Sequence, residues 1–180
     1  MTVISTTRVY AGKLLNVDRD LIINPAEEKL DLEIVRHPGA AAVVPVVSDL
    51  ESPDPSLLLI HQYRYAAGGT IWEIPAGILK PGEDPEMCAH RELKEETGAE
   101  AVTMTRLTTI LTTPGFTDER IHLFVASDLT VGDTNHETDE VIEVRSVPLS
   151  RVLEMARDGD ISDAKSLVGI LYFAGFILNR

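Results

Sequence analysis

The sequence predicts an α/β fold built on a mixed sheet, preceded by a small antiparallel sheet. Short apolar runs typical of strands stand on both sides of one helix at residues 85–97. Further helical patterns come only near the C-terminus. Strands that flank a central helix in this order are typical of an α/β sandwich.

The first 39 residues contain the patterns of three short strands. A hairpin is expected within residues 6–24, and the alternating run at 30–36 predicts a third strand. Because three small strands bury little surface alone, this sheet is expected to pack against another subunit. We therefore place a boundary near Gly39, with residues 1–39 as a dimerisation region and 40–180 as the main domain.

The main domain begins with a strand that is apolar on both faces. This run, at residues 40–47, predicts a central strand, and Pro45 within it favours a bulge or a partial edge. The later patterns predict strands at 57–62, 70–77, 101–112, 119–126 and 141–147, and helices at 150–157 and from about 162 onwards.

Composition excludes several classes of partner. The 180 residues carry a net charge of −13, which argues against nucleic acid and anionic membrane surfaces. The single cysteine, Cys88, excludes an internal disulfide and fits a reducing compartment. The first 20 residues do not resemble a signal peptide, and the apolar stretch at 167–178 is shorter than the about 20 residues of a membrane span. A cytoplasmic protein is expected.

The helix at residues 85–97 is predicted by its end signals. Asp84 is in the position of an N-cap, Pro85 occupies the first helical position, and Gly98 is typical of a C-terminal stop.

Three acidic side chains of this helix share one face. At about 100° per residue, Glu92, Glu95 and Glu96 fall in a single stripe, where like charges repel. Arg91 is placed to pair with Glu95, but one arginine does not neutralise three carboxylates. Oxygen ligands of this kind suit Mg²⁺, Mn²⁺ or Ca²⁺. The alternative is a solvated acidic face.

From Gly77 to Ala99 the sequence reads G-x5-E-x7-R-E-L-x-E-E-x-G-A, which resembles the Nudix box of the Nudix hydrolases. Only Ala99 departs from the family pattern, where a bulkier aliphatic residue is usual. The resemblance implies an α/β/α sandwich with the box as loop, helix and loop. It also implies a hydrolase of a nucleoside diphosphate linked to another group, with Mg²⁺, or alternatively Mn²⁺, as cofactor.

The resemblance also assigns roles within the box. Glu92 and Glu96 correspond to metal ligands, joined by the backbone carbonyl of Ala76. Glu95 belongs to the catalytic set, either as a metal ligand or as a residue that holds the site, and its pairing with Arg91 favours the second.

Two further box residues are expected to shape the site. Glycine at 77 lets the loop backbone approach the metal and the helix closely. Glu83 is expected to brace the loop or Arg91 rather than touch substrate.

Features outside the box resemble the ADP-ribose pyrophosphatase subgroup. They are the segments Gln-Tyr-Arg at 62–64 and Trp-Glu-Ile-Pro-Ala-Gly at 72–77, together with Pro114, which lies 16 residues beyond Gly98. The resemblance implies that ADP-ribose is cleaved to AMP and ribose 5-phosphate. Two alternatives are a hydrolase of another NDP-sugar such as GDP-mannose, and a non-catalytic regulatory module that binds ADP-ribose. Such modules commonly lose box acids, which this chain keeps.

On this interpretation residues outside the box contact the small-molecule substrate. Arg64 contacts the diphosphate or the terminal ribose, and the alternative is an exposed arginine at a strand end. Glu73 binds ribose hydroxyls or an outer metal, or only caps its strand. The subgroup forms swapped homodimers through its N-terminal strands, so Arg36, with Tyr10, is placed to reach adenine or phosphate across a dimer interface.

The resemblance also implies a general base outside the helix, in the acidic loop before the last strand. Glu140 matches the subgroup best, as base or as an extra metal ligand, and Glu137 is the second choice. Asp139 and Glu143 are further candidates for the base. The alternative is that the acidic loop is only solvated and has no catalytic role.

Overall fold

The computed structural model describes residues 1–132 and 142–178. The chain divides into two compact units. One contains Met1–Gly39 with Leu111–Arg120, and the other contains Ala40–Ile110 with Ile121–Arg180.

The first unit is built on a three-stranded antiparallel sheet. Its strands are β1 (Thr2–Ala11), β2 (Asn16–Ile23) and β3 (Lys29–Arg36), in the order β1-β2-β3. The hairpin and the third strand that the sequence predicts are therefore present. Strand β1 is exposed along its whole length.

The second unit contains two sheets. The strands of the first are β4 (Ala40–Pro45), β7 (Ala76–Ile78), β8 (Ala99–Leu111) and β9 (Arg120–Val131), in the order β7-β4-β9-β8. Those of the second are β5 (Ser56–Arg64), β6 (Gly69–Glu73) and β10 (Ile142–Pro148), in the order β10-β5-β6. Strand β4 is parallel to β9 and antiparallel to β7, so this sheet is mixed, as predicted.

The helices of this unit are α1 (Pro85–Thr97), α2 (Leu149–Asp158) and α3 (Ala164–Tyr172), and a π-helical turn (Phe173–Ile177) follows α3. The predicted limits of α1 are confirmed. Asp84 accepts a hydrogen bond from the amide of Glu86 at 2.8 Å, and Gly98 ends the helix with a φ of 70°. None of the helices in the described ranges is both long and apolar enough to cross a bilayer.

The core explains why the β4 sequence lacks polar alternation. All six residues of β4 are buried, and successive side chains enter two different apolar clusters. Ala41 and Val43 pack in the cluster that contains Leu93 of α1. Ala42 and Val44 belong to the cluster built with α2 and α3, which includes Leu149, Val152, Ile170 and Phe173. Helices therefore cover both faces of this sheet.

Candidate active site

The candidate site is centred on the contact between α1 and the start of β7. The backbone amide of Ala76 donates a hydrogen bond to Glu96 Oε2 at 2.9 Å. Glu96 is only 3% exposed. The carboxylate of Glu96 is thus held against Ala76, whose carbonyl the family resemblance assigns to the same site.

Gly77 lies directly against the second predicted ligand. A Cβ atom built on Gly77 would lie 1.8 Å from Glu92 Oε1 and 1.9 Å from Glu92 Cδ. No side chain fits there while Glu92 keeps its position. The close approach between loop and helix that the sequence predicts at this glycine is confirmed, and it brings Glu92 to the backbone next to Ala76.

Arg91 holds the acidic side chains of the box in place. Its Nε and Nη2 donate to the two carboxylate oxygens of Glu83, both at 2.9 Å. Its Nη1 donates to Glu95 at 3.0 Å and also contacts Glu92. Both predicted partners of Arg91 are confirmed, Glu95 as an ion pair and Glu83 as a brace.

These contacts shift the protonation of the pair that forms the brace. Hydrogen bonds from the Arg91 guanidinium lower the pKa of Glu83 to about 2, and the amide of Lys80 adds a further hydrogen bond to this carboxylate. The hydrogen bond to Glu83 and the charge of Glu92 raise the pKa of Arg91 above its ordinary value, so the guanidinium stays charged.

The three glutamates of the stripe differ in their exposure to solvent. The side chain of Glu92 is 12% exposed and that of Glu95 is 32% exposed, whereas Glu96 is almost completely buried. A solvated acidic face therefore does not describe Glu92 and Glu96. Buried carboxylates require compensating charge or hydrogen bonds.

The residues present fit a hard divalent cation. The carboxylates of Glu92 and Glu96 lie close to the backbone of Ala76 and Gly77. Because residue 77 has no Cβ atom, the carboxylate of Glu92 occupies the space next to it. Oxygen donors are the ligands that Mg²⁺ and Mn²⁺ prefer. Over residues 1–132 and 142–178, no three His, Cys, Asp or Glu side chains are gathered as a ready-made metal site. The predicted ligand set differs from such a group, because it contains two carboxylates and one backbone carbonyl.

Arg64 and Glu73 form an ion pair on the β5–β6 pair of strands. Arg64 Nε donates to Glu73 Oε2 at 2.7 Å. Glu73 is 3% exposed, and its other oxygen accepts from Lys165 Nζ of α3 at 2.5 Å. The side chain of Arg64 remains 39% exposed. Of the two predicted substrate contacts, Arg64 thus reaches solvent, while Glu73 lies beneath it between two cations.

The start of α3 extends this network, which the sequence did not predict. Asp163 Oδ2 accepts from Lys165 Nζ at 2.8 Å and from Ser166 Oγ at 2.6 Å. Ser166 Oγ accepts in turn from the backbone amide of Ile74 at 2.9 Å. Burial raises the pKa of Asp163, but the charge of Lys165 and the hydrogen bonds from Lys165 and Ser166 lower it by more. The pKa of Asp163 therefore lies below its ordinary value. Asp163 is the N-cap of α3, and a polar residue before a helix is the only sign of this network that a sequence can contain.

Gln62, which belongs to the Gln-Tyr-Arg segment, is a second residue for which the sequence predicted no role. It lies two positions before Arg64 on β5, and therefore on the same face of the strand. Gln62 is 5% exposed, and its Oε1 has no hydrogen-bond partner within the described ranges.

Arg36 lies in the first unit, among carboxylates. Its Nε donates to Asp18 at 3.1 Å, its Nη1 donates to Asp118 at 3.2 Å, and it also pairs with Asp20. Tyr10 is 59% exposed. The role of Arg36 at the substrate stays a prediction.

The predicted base, Glu140, lies outside the described residues, as do Glu137 and Asp139. Glu143, the fourth candidate, is on β10. It pairs with Arg145 Nη2 at 2.6 Å, and its side chain is 52% exposed.

The chain is similar to several known proteins. The sequence model of the NUDIX domain matches residues 36–167. The ADP-ribose pyrophosphatase of Bacillus subtilis (strain 168) is 37% identical over 171 residues, which are 94% of this chain and 90% of that protein. A GDP-mannose pyrophosphatase of Yersinia enterocolitica is 36% identical over 129 residues, 67% of each chain.

One solved structure is described as the crystal structure of an ADP compounds hydrolase. It superposes with a TM-score of 0.82 at 22% identity, over 99% of this chain and 94% of that one. This likeness confirms the α/β fold class that the sequence predicts.

Proposed function

This chain belongs to the NUDIX family, and we propose that it hydrolyses ADP-ribose to AMP and ribose 5-phosphate. The main observation behind the proposal is that Glu92 and Glu96 both approach the backbone at Ala76 and Gly77. The Glu92 carboxylate lies so close to Gly77 that no side chain fits at position 77. The similarity to the Bacillus subtilis ADP-ribose pyrophosphatase over nearly the whole chain supports the choice of substrate.

The box residues have separate tasks in this reaction. Glu92, Glu96 and the carbonyl of Ala76 would hold Mg²⁺, or Mn²⁺ in its place. When bound, the cation neutralises pyrophosphate oxygens and lowers the pKa of water. Arg91 offsets the repulsion among the glutamates and fixes their side chains, because its donors engage several carboxylates at once. Glu95, tied to Arg91, holds the site on this proposal.

Three further residues complete the proposed substrate site. Arg64 is the proposed contact of the diphosphate or terminal ribose, because its guanidinium has fixed donors and reaches solvent. Glu73 supports this contact, and Arg36 of the N-terminal sheet remains a proposed contact of adenine or phosphate.

Glu140 is the proposed general base or additional metal ligand. Its replacement by glutamine removes the basic oxygen with little change in size, and we expect a loss of about 10²–10⁴ in kcat. Glu143→Gln is the matched comparison, since Glu143 is exposed and paired with Arg145. A loss below about threefold in Glu140→Gln would move the base elsewhere.

Product analysis tests the proposed activity. Purified protein is incubated with a panel of NDP-sugars in Mg²⁺, in Mn²⁺ and in excess chelator, and the products are separated by chromatography. AMP and ribose 5-phosphate are expected from ADP-ribose only when a cation is present. Glu96→Gln should keep the melting temperature and lose at least about 10²-fold in rate. Full activity of this variant would refute the metal-ligand assignment.

A second candidate substrate is GDP-mannose, which would yield GMP and mannose 1-phosphate. The observation in its favour is the 36% identity to the Yersinia enterocolitica GDP-mannose pyrophosphatase. The same panel separates the two, because a higher kcat/KM for GDP-mannose than for ADP-ribose would reverse the order of preference.

We also propose that the protein is a cytoplasmic homodimer, with residues 1–39 as the dimerisation region and 40–180 as the hydrolase domain. Strand β1 supports this, because it is exposed throughout and carries exposed apolar side chains at Val3, Ile4 and Tyr10. Light scattering should give twice the chain mass, and a Val3→Glu/Tyr10→Glu variant should be monomeric. A monomeric wild-type protein would contradict the proposal.

A further inference from the structure

We propose that Lys165 is a positioning residue for substrate binding, which sets the guanidinium of Arg64 through the buried carboxylate of Glu73. The inference rests on the proposed function, because it takes Arg64 as the contact of the substrate diphosphate or ribose. It adds a residue from the start of α3 to a site otherwise built from strands and from α1.

The carboxylate of Glu73 is held by a different cation at each of its two oxygens. Its Oε1 accepts from Lys165 Nζ at 2.5 Å, and its Oε2 accepts from Arg64 Nε at 2.7 Å. Each oxygen has one cationic donor, so the plane of the carboxylate is held from two sides. Arg64 uses Nε for this contact, and the two terminal nitrogens of its guanidinium lie beyond it.

The two charges beneath Arg64 are buried. The side chains of Glu73 and Lys165 are 4% and 10% exposed, whereas that of Arg64 is 39% exposed. A buried ion pair has a large desolvation penalty, and an apolar pair of similar volume is often at least as stable. Stability is therefore a weak explanation for this pair, and orientation of the one exposed cation is a stronger one.

Lys165 is itself held in place by neighbouring residues. Asp163 Oδ2 accepts from Lys165 Nζ at 2.8 Å, so the charges alternate from Arg64 to the N-cap of α3. The helix is fixed to the strand connection, because Ser166 Oγ accepts from the amide of Ile74 at 2.9 Å. Lys165 consequently approaches Glu73 from a fixed direction.

Loss of Lys165 should therefore act on Arg64. With one partner gone, the Glu73 carboxylate can turn and bind Arg64 through both oxygens, since guanidinium and carboxylate form bidentate pairs readily. The donors of Arg64 are then drawn from the substrate to Glu73. Binding should weaken more than the chemical step.

The test is a double-mutant cycle of Lys165→Met with Arg64→Ala. Alone, Lys165→Met should raise KM for ADP-ribose about tenfold and change kcat less than threefold. In the Arg64→Ala background it should change KM by less than about twofold, because the residue through which it acts is gone. Lys165→Arg should restore KM to within about threefold of wild type.

Two measurements separate positioning from a purely structural role. Calorimetry of ADP-ribose binding in excess chelator should show the same rise in Kd, independently of turnover. Melting temperatures report any loss of stability. Arg157→Met is the matched control, because it removes one positive charge from an exposed site on α2 and should leave KM unchanged.

Several outcomes would overturn the inference: an unchanged KM in Lys165→Met, or an undiminished increase in the Arg64→Ala background. If Lys165→Met does not fold, Glu73→Gln/Lys165→Met removes both buried charges, and a wild-type KM in that variant overturns the inference equally. Absence of ADP-ribose turnover by wild type refutes the proposed function instead. The cycle is then measured with the NDP-sugar that the panel identifies.

Discussion

Replacement of Gly77 by alanine is expected to remove most of the activity and leave the fold intact. The added Cβ would lie 1.8 Å from Glu92 Oε1, whereas ordinary van der Waals contact begins at 3.4 Å, so the carboxylate must move by about 1.6 Å. The atoms that move are at the tip of a flexible side chain. The backbone and the core are therefore expected to keep their structure.

The expected magnitude follows from that displacement. Metal–oxygen distances are held to about 0.2 Å, so a carboxylate displaced by more than 1 Å no longer serves as the same ligand. Misplacement of a reacting group by about 1 Å lowers the rate about 10²-fold, which corresponds to about 2.7 kcal/mol in the activation free energy. We expect a loss in kcat of at least this size and a weaker affinity for Mg²⁺.

The assay is the rate of AMP release as a function of Mg²⁺ concentration, combined with thermal unfolding. Gly175→Ala is the matched control, since a Cβ at Gly175 meets no atom within 4 Å. Its activity should equal that of wild type. If Gly77→Ala keeps more than half of the wild-type kcat at ordinary Mg²⁺ concentrations, Glu92 does not need its observed position, and the reasoning is refuted.

Three further predictions concern the residues around the Nudix box. Because the folded pKa of Glu83 is depressed to about 2, its contribution to stability is present above its ordinary pKa of 4.5 and is lost as the pH falls towards 2. Urea unfolding should show Glu83→Gln about 1–2 kcal/mol less stable at pH 7, with the gap closing below pH 4; a constant gap would contradict this. Arg91→Lys keeps the charge but loses the two-point contact with Glu83, so a loss of about 1–3 kcal/mol is expected in the same experiment, and wild-type stability would count against the brace. Burial raises the pKa of the Cys88 thiol to about 12, so a thiol reagent at pH 8 should label it only after unfolding; rapid labelling of the native protein would show that the helix opens.

Local signals made α1 predictable. Asp84, Pro85 and Gly98 act on the backbone within a few residues of themselves, so the predicted and observed limits of the helix coincide. The stripe of Glu92, Glu95 and Glu96 follows from helix geometry alone.

Strand limits were less exact, because alternation does not reveal where pairing ends. Strand β8 begins at Ala99 rather than 101, and β9 continues to Val131 rather than 126. The parallel pairing of β4 with β9 joins segments about 80 residues apart, for which the sequence contains no local signal.

The sequence by itself predicted the reaction class through its resemblance to the Nudix box, whose residues lie within 23 consecutive positions on one loop and one helix. It also identified Arg64 and Glu73 as candidates for the substrate site. Only the tertiary structure decided that Glu73 is buried beneath Arg64 and held by Lys165, which is 92 residues away in the chain. The physical reason is that an ion pair of this kind depends on where α3 packs against the strands, and a lysine near a helix start looks the same in sequence whether it faces solvent or a buried carboxylate.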